Sequence, residues 1–311
     1  MKVSVVIVTH NRTKLCNLTL EYLNRQTIKP YEVVVVDAAS VPPFRALKEN
    51  YEYKLTILRV ERDFGLGFCR NLGVIQSEGD IVAFIDDDAI PDANWIKEII
   101  YHMIEYDADI VGGPCLPKYL GRKPSWWNSR VLGCYLAIYN TSIVGCNLAI
   151  KREVFDKVGL FKVHLGRIKE LKISNEDVDF IFRANKKGAK ITYCGRIRVY
   201  HFVMPNRLSL RYLVKRAWYQ GVSIYLMLGH EFMTTIMKER KLYNLLYCRH
   251  VKRNHLSYLD FLRTRAFLLR ILLLIITAIG ILYAAILVRK QRQYTMSLQP
   301  FRISRKYITD H

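Results

Sequence analysis

Residues 81–95, IVAFIDDDAIPDANW, decide the fold. The apolar run from Ile81 to Ile85 leads straight into Asp86, Asp87 and Asp88. Such a run, bounded by a turn, predicts a strand buried on both faces of a parallel sheet. Sheets of this kind bind ligands just beyond the carboxyl ends of their strands. Three carboxylates at that point repel one another unless a cation or several donors lie among them. Mg²⁺ or Mn²⁺ meets that need, because it combines one or two carboxylates with phosphate oxygens and water. The same triplet also reads as a solvated acidic turn that caps the next helix.

Working outward, strands and helices alternate. Residues 3–8 predict a first strand, and residues 12–25 a helix with Leu15, Leu18 and Leu23 at helical spacing. The run EVVVVD at 32–37 predicts a second buried strand, and residues 55–60 a third. RDFGLGFCRNLG at 62–73 is a glycine-bearing loop that enters a helix. A helix over 95–106 and a strand over 109–115 follow the acidic strand. Residues 116–139, with Pro117, Pro124 and the pair Trp126 and Trp127, read as an irregular insertion. Further strands are expected at 143–150 and 189–194, a helix at 175–187, and an extended piece ending at His201. The fold class is therefore α/β: a Rossmann-like, mostly parallel sheet with flanking helices.

The chain has 311 residues, 51% of them hydrophobic, enough for one large domain and an appendage. Its formal charge of +21 implies an anionic partner: nucleic acid, an acidic substrate or an anionic membrane. Seven scattered cysteines without a CxxC argue against zinc or disulfide scaffolding and for a reducing compartment. Residues 208–228 predict a basic amphipathic helix. Residues 271–288 carry no charge, and a run of that length predicts a membrane span. The expected organisation is a catalytic domain at 1–205 and a basic helical region at 206–265. A transmembrane helix at 266–290 and a basic tail at 291–311 would follow.

VSVVIVTHNR, VVVVDAAS, RDFGLGFCRNLGV, GDIVAFIDDDAIPDANW, IVGGP, GCNLAIKREVFDKVGLF, NEDVDFIFRANKKGAKITY and VYHF follow one another across residues 1–202. In that order they resemble glycosyltransferase family 2, whose fold is the GT-A fold. The resemblance implies an inverting sugar transfer from a nucleotide-sugar donor, assisted by Mg²⁺ or Mn²⁺. By position, Asp37 is similar to the acid that reads the donor's base, with Thr9 and Arg12 on the loop beside it. Asp86 and Asp88 resemble the family's DXD acids, which serve ribose and the metal-bridged diphosphate, and Asp87 between them falls on the donor-binding side. Arg70 and Asn71 match the segment that flanks the donor in the family, and His201 occupies the place where many members supply a further metal ligand. Asp177, in the pair with Glu176, resembles the general base. Two departures stand out: Ala38 and Ala39 replace a second acid after Asp37, and the QxxRW pattern of processive synthases is missing.

The resemblance favours transfer of a single sugar to a lipid-linked or membrane-proximal glycan, by a membrane-anchored enzyme whose catalytic domain faces the cytoplasm. A polyprenyl phosphate acceptor is the runner-up. A catalytically silent nucleotide-binding scaffold of the same fold is a further alternative. Nucleic acid is not expected as a partner, because the chain carries no recognisable binding module for it. Donor sugar, nucleotide and linkage are not encoded in any of these motifs.

Overall fold

Near-continuous apolar runs build a sheet whose carboxyl edge carries the acids. The computed structural model describes residues 1–48, 50–136, 142–167, 172–228, 265–291 and 309–310. β1 (Val3–Thr9), α1 (Thr13–Asn24), β2 (Glu32–Ala38), β3 (Lys54–Val60), α2 (Leu66–Gln76) and β4 (Ile81–Ile85) come first. β3, β2, β1 and β4 lie side by side and parallel. Thr9 pairs in register with Asp37, and β4 ends one residue before Asp86, so all three reach the same sheet edge.

β1 is buried on both faces. Val5 and Ile7 join Leu20 and Leu23 of α1, whereas Val6 joins Phe84, Leu148 and Phe180 on the other side. Gly73 of α2 lies where any side chain would overlap Val6, so that helix sits directly on the strand. That close packing sets the height of Arg70 one turn earlier on α2.

β5 (Ala89–Pro91), α3 (Trp95–Glu105), β6 (Ile110–Gly112), β7 (Cys115–Tyr119) and α4 (Ser129–Leu132) follow. The strand expected at 109–115 is thus two strands in two sheets. Gly113, between them, lies against the carbonyls of Cys194 and Ile197 with no room for a side chain, and the chain changes sheets there. β7 begins the stretch expected to be irregular, and Trp127 donates its indole N–H to the Tyr119 hydroxyl at 2.9 Å.

β8 (Asn147–Lys151), α5 (Arg152–Val158), α6 (Glu176–Lys186), β9 (Ile191–Tyr193) and β10 (Val199–Val203) complete the domain. β8 runs antiparallel to β4 and β6, so the sheet is mostly, not wholly, parallel. β5, β10 and β7 form a second small sheet, which places His201 opposite Ala89, directly after the acids. Fully buried Asn147 ties the parts together, accepting from Trp95 Nε1 at 2.8 Å and donating to the Pro114 and Ile197 carbonyls.

α7 (Leu210–Leu228) and α8 (Arg265–Gln291) pack on this body, and β11 (Thr309–Asp310) pairs with β3. α7 and α8 cross closely, because a side chain on Gly221 or Gly280 would strike the Thr277 or Trp218 carbonyl. The transmembrane expectation at 266–290 is corrected here. Among the described residues no helix is long and apolar enough to cross a membrane. One face of α8 is spent on the domain, with Leu273 buried beside Leu213 and Ala217. Most of the region expected at 206–265 beyond residue 228, and the tail at 291–311 apart from 309–310, lie outside the described residues.

Candidate active site

Asp87 and Asp88 are buried at the end of β4 and are neutralised by their own chain. Asp87 accepts from the Thr9 hydroxyl at 2.9 Å and from Arg12 Nη1 at 2.8 Å. Burial pushes the Asp87 carboxyl up to about 6, against the pull of Arg12. Asp88 accepts from Arg12 at 2.9 Å and Arg207 at 2.8 Å, and its other oxygen lies 3.1 Å from His201 Nε2. Burial opposes its ionisation, yet His201, Arg207 and Arg12 hold it well below the usual carboxylate range. His201 is raised in turn: Asp88 outweighs the burial that would lower it.

Asp86 is the open member of the triplet, with a quarter of its side chain exposed. It shares space with His201 and Cys146, whose donor atoms lie within 4.8 Å of one another. His201 Nδ1 is buried and without a hydrogen-bond partner. With Nε2–H directed at Asp88, that nitrogen is the one left for a ligand, and carboxylate–imidazole pairs of this kind orient metal-binding histidines. The Cys146 thiol is pushed up by its hydrogen bond to Cys115 and by burial, so it stays protonated. Carboxylate oxygen and imidazole nitrogen, without thiolate, suit Mn²⁺ or Mg²⁺.

A second acidic centre begins α6. Asp177 accepts from the Gly145 backbone N–H at 2.6 Å and from Val178 N at 2.9 Å. Its neighbour Glu176 is buried and accepts from Arg70 Nη1 at 2.7 Å, while its second oxygen has no partner. Burial, opposed by Arg70, pushes Glu176 up to about 7. Arg70 also donates to Asp86 at 3.2 Å. One buried guanidinium thus spans the strand-end acids and the helix that carries Asp177. A side chain at 145 would occupy the place of that guanidinium, which leaves glycine to supply both the space and the N–H for Asp177.

A comparison with known proteins follows from this geometry. The family model described as "Glycosyl transferase family 2" matches residues 4–163, just over half of the chain. This chain belongs to glycosyltransferase family 2. Glucosyl-dolichyl phosphate glucuronosyltransferase of Haloferax volcanii is 28% identical over 238 residues, covering 72% of this chain and 76% of that one. Chondroitin synthase of Pasteurella multocida is 37% identical over 112 residues, and the match spans 35% of this chain and 12% of that enzyme. Among solved structures, a mannosyltransferase from Pyrobaculum calidifontis in complex with GDP-Man and Mn²⁺ shares the fold. It has a TM-score of 0.53 and 18% identity, with 94% of this chain and 79% of that one covered.

In this glycosyltransferase the donor-side residues named from sequence come together unevenly. Thr9 and Arg12 meet Asp87 and Asp88, and Arg70 meets Asp86. Asp37 is buried one strand away, where it accepts from Ser40 N at 2.9 Å, Phe44 N at 3.0 Å and Arg59. Asn71 is not brought to the acids: its carboxamide exchanges two hydrogen bonds with the Phe161 backbone, each 2.9 Å. Sequence reasoning missed Arg207, Gly145 and Arg59. Arg207 stands alone after a strand, and nothing in its neighbourhood marks it. Gly145 does open a recognised run, GCNLAI, and a glycine just ahead of a buried strand signals close approach.

Proposed function

We infer that the protein moves a single sugar, with inversion, from a nucleotide-sugar donor to a hydroxyl of a lipid-linked or membrane-proximal glycan. The observation that supports this reading is the Arg70 bridge, which ties Asp86 to the start of α6. Donor and attacking hydroxyl must meet in line at the anomeric carbon, so fixed spacing between the two acidic centres is itself catalytic. Asp177 is the general base that takes the proton from the acceptor hydroxyl. The Gly145 N–H holds its carboxylate in place, and Glu176 anchors Arg70.

Asp86 and the Nδ1 of His201 are the groups that would hold the cation, with Asp88 fixing the imidazole from behind. Bound there, Mn²⁺ or Mg²⁺ supplies charge stabilisation for the departing diphosphate. Thr9, Arg12 and Asp87 form the floor beneath the donor, and Asp37 holds the 37–44 loop that borders its nucleoside. A lipid-phosphate-linked acceptor is favoured because one relative that matches over most of both chains is named for a dolichyl phosphate substrate.

The test is transfer by the purified full chain from a panel of UDP-, GDP- and dTDP-sugars, with Mn²⁺ and then with EDTA. Metal-dependent turnover of one donor, lost in Asp86→Ala and Asp177→Asn, with the product anomer inverted by NMR, is the expected result. Retention of configuration, or full activity in Asp177→Asn, would overturn it.

A further inference from the structure

The acceptor side carries a group of cations that the reading above leaves unused. Arg167 and Lys172 border the stretch that leads into α6, Arg207 lies on the turn at Pro205–Leu208, and Tyr212 and Arg216 lie on α7. Arg216 Nη1 donates to the Lys172 carbonyl at 3.1 Å, and Lys172 Nζ lies 6.0 Å from the Tyr212 ring. Arg207 also reaches Asp88, so the group opens onto the reacting centre. Arg167 and Lys172 have no carboxylate within salt-bridge distance among the described residues. Among the described residues that leaves Arg167 and Lys172 as two cations without a carboxylate, and an anion in the space beside them would offset their repulsion.

The groups themselves register that field. Burial pushes the Tyr212 hydroxyl up, yet Arg207, Arg167, Arg216 and Lys172 together bring it below its ordinary value. Lys172 is lowered by burial and by Arg167, Lys215 and Arg216. Next along the chain, two buried polar atoms have no hydrogen-bond partner: Ser174 Oγ and Asn175 Nδ2. Asn175 is almost wholly buried, held at φ 86° with its carbonyl oxygen accepting from Gln220 at 3.2 Å, so its NH₂ is a fixed, unspent donor. Cations, two unspent polar groups and Asp177 thus follow one another over a single short segment.

We propose that Arg167, Lys172 and Arg216, around Tyr212, bind a phosphate or diphosphate group of the acceptor, while Ser174 and Asn175 meet the sugar that carries the attacking hydroxyl. This rests on the glycosyl-transfer reading for the word acceptor, but the anion site stands or falls by binding alone. Arginine and lysine suit the group: the first matches phosphate oxygens in pairs, and the second adds a point charge. The arrangement places the charge of the acceptor on the Asp177 side of Arg70, apart from the Asp86 side where the donor diphosphate is expected.

The test measures calorimetric binding of inorganic pyrophosphate and of farnesyl diphosphate to the full chain, first alone and then saturated with Mn²⁺ and the nucleoside diphosphate it binds. Arg167→Ala/Lys172→Ala is compared with wild type, and Lys187→Ala serves as a surface-charge control. Vesicles of three parts phosphatidylcholine to one part phosphatidylglycerol form a separate arm. A loss of tenfold or more in diphosphate affinity in the double variant, with nucleotide affinity unchanged and no competition from nucleotide, supports the proposal. Competition by nucleotide, or an equal loss of nucleotide affinity, would assign the cations to the donor and overturn it. Loss of vesicle binding without diphosphate binding would make them a lipid-surface patch and overturn it too. Diphosphate binding by these residues in a protein that transfers no sugar would leave the site intact and remove the function proposed above.

Discussion

Around Asp87 and Asp88 every carboxylate meets a hydroxyl or cation of its own chain, whereas on the other side of Arg70 polar groups at 174 and 175 stay unmatched. The first region is finished before any ligand arrives, except at His201 Nδ1, which keeps one bonding position open. Arg12 alone serves both acids, and Arg207 and His201 close the remaining positions on Asp88. The second region keeps buried bonding capacity in reserve. Such capacity costs stability in the free protein and is recovered only when something binds. On the proposed assignment, a largely preorganised donor cradle faces an unsatisfied acceptor wall, the pattern expected of a transferase that fixes one substrate class and selects the other.

The largest effect that would break this contrast is chemical. Asp177→Asn should lower kcat by about 10²–10⁴-fold, with donor affinity within about twofold of wild type. Single-turnover kinetics beside donor titration separates the two, and equal loss of both would dissolve the division into two sides. Next comes the bridge. Arg70→Met leaves Glu176 and Asp86 without their common cation and should cost about 3–5 kcal/mol in urea denaturation. Gly145→Ala should act in the same direction, because the guanidinium must give way.

A pH series sharpens the comparison further. Glu176 binds its proton up to about 7 in the folded chain, but releases it near 4.3 when unfolded. A folded state that holds more protons than the unfolded one loses stability as pH rises, here from about 4.3 to about 7, and then levels off. Relative to Glu176→Gln, wild type should therefore decline by up to about 3 kcal/mol across that window in urea midpoints. A wild-type advantage that instead grows as pH rises would mean that Arg70 keeps Glu176 ionised. The smallest effect is the most discriminating. Ser174→Ala removes a buried hydroxyl without a partner and should stabilise the fold by about 1 kcal/mol, while KM for the acceptor rises several-fold and that for the donor stays put. Thermal melts and initial rates on one preparation test both halves.

Much of the donor side was legible because its signals are local. An apolar run followed by DDD can end only at a sheet edge, and EVVVVD places a second acid there, in register with Thr9. Order of motifs added Arg70, Asp177 and His201 to the same cleft. What escaped was pairing across long separations: Arg207 meets Asp88 across 119 positions, and Arg70 meets Glu176 across 106. Periodicity carries no record of such contacts. Asn71 was misleading for a related reason, since a polar residue beside a site can be wholly spent on the backbone behind it. The strand at 109–115 was drawn too long because two glycines and a proline were read as part of a run, not as a change of sheet. An apolar segment at 271–288 says that a helix must be covered, but not by what. Here α7 covers part of it.

α7 touches two things at once. On one flank it grips α8 through the Gly221 and Gly280 crossing, and on the other Ser223 accepts from the Ser174 backbone while Gln220 steadies Asn175. The recognition segment at 172–175 is therefore tethered to an added helix, with no tether to the strands that hold the donor acids among these contacts. In a lineage, that division separates two rates of change. On the proposed assignment, substitutions along α7 and α8 would retune the acceptor while the nucleotide-handling half is inherited unaltered. A change in the Arg70 bridge, by contrast, would have to be answered on both sides of the cleft in the same generation.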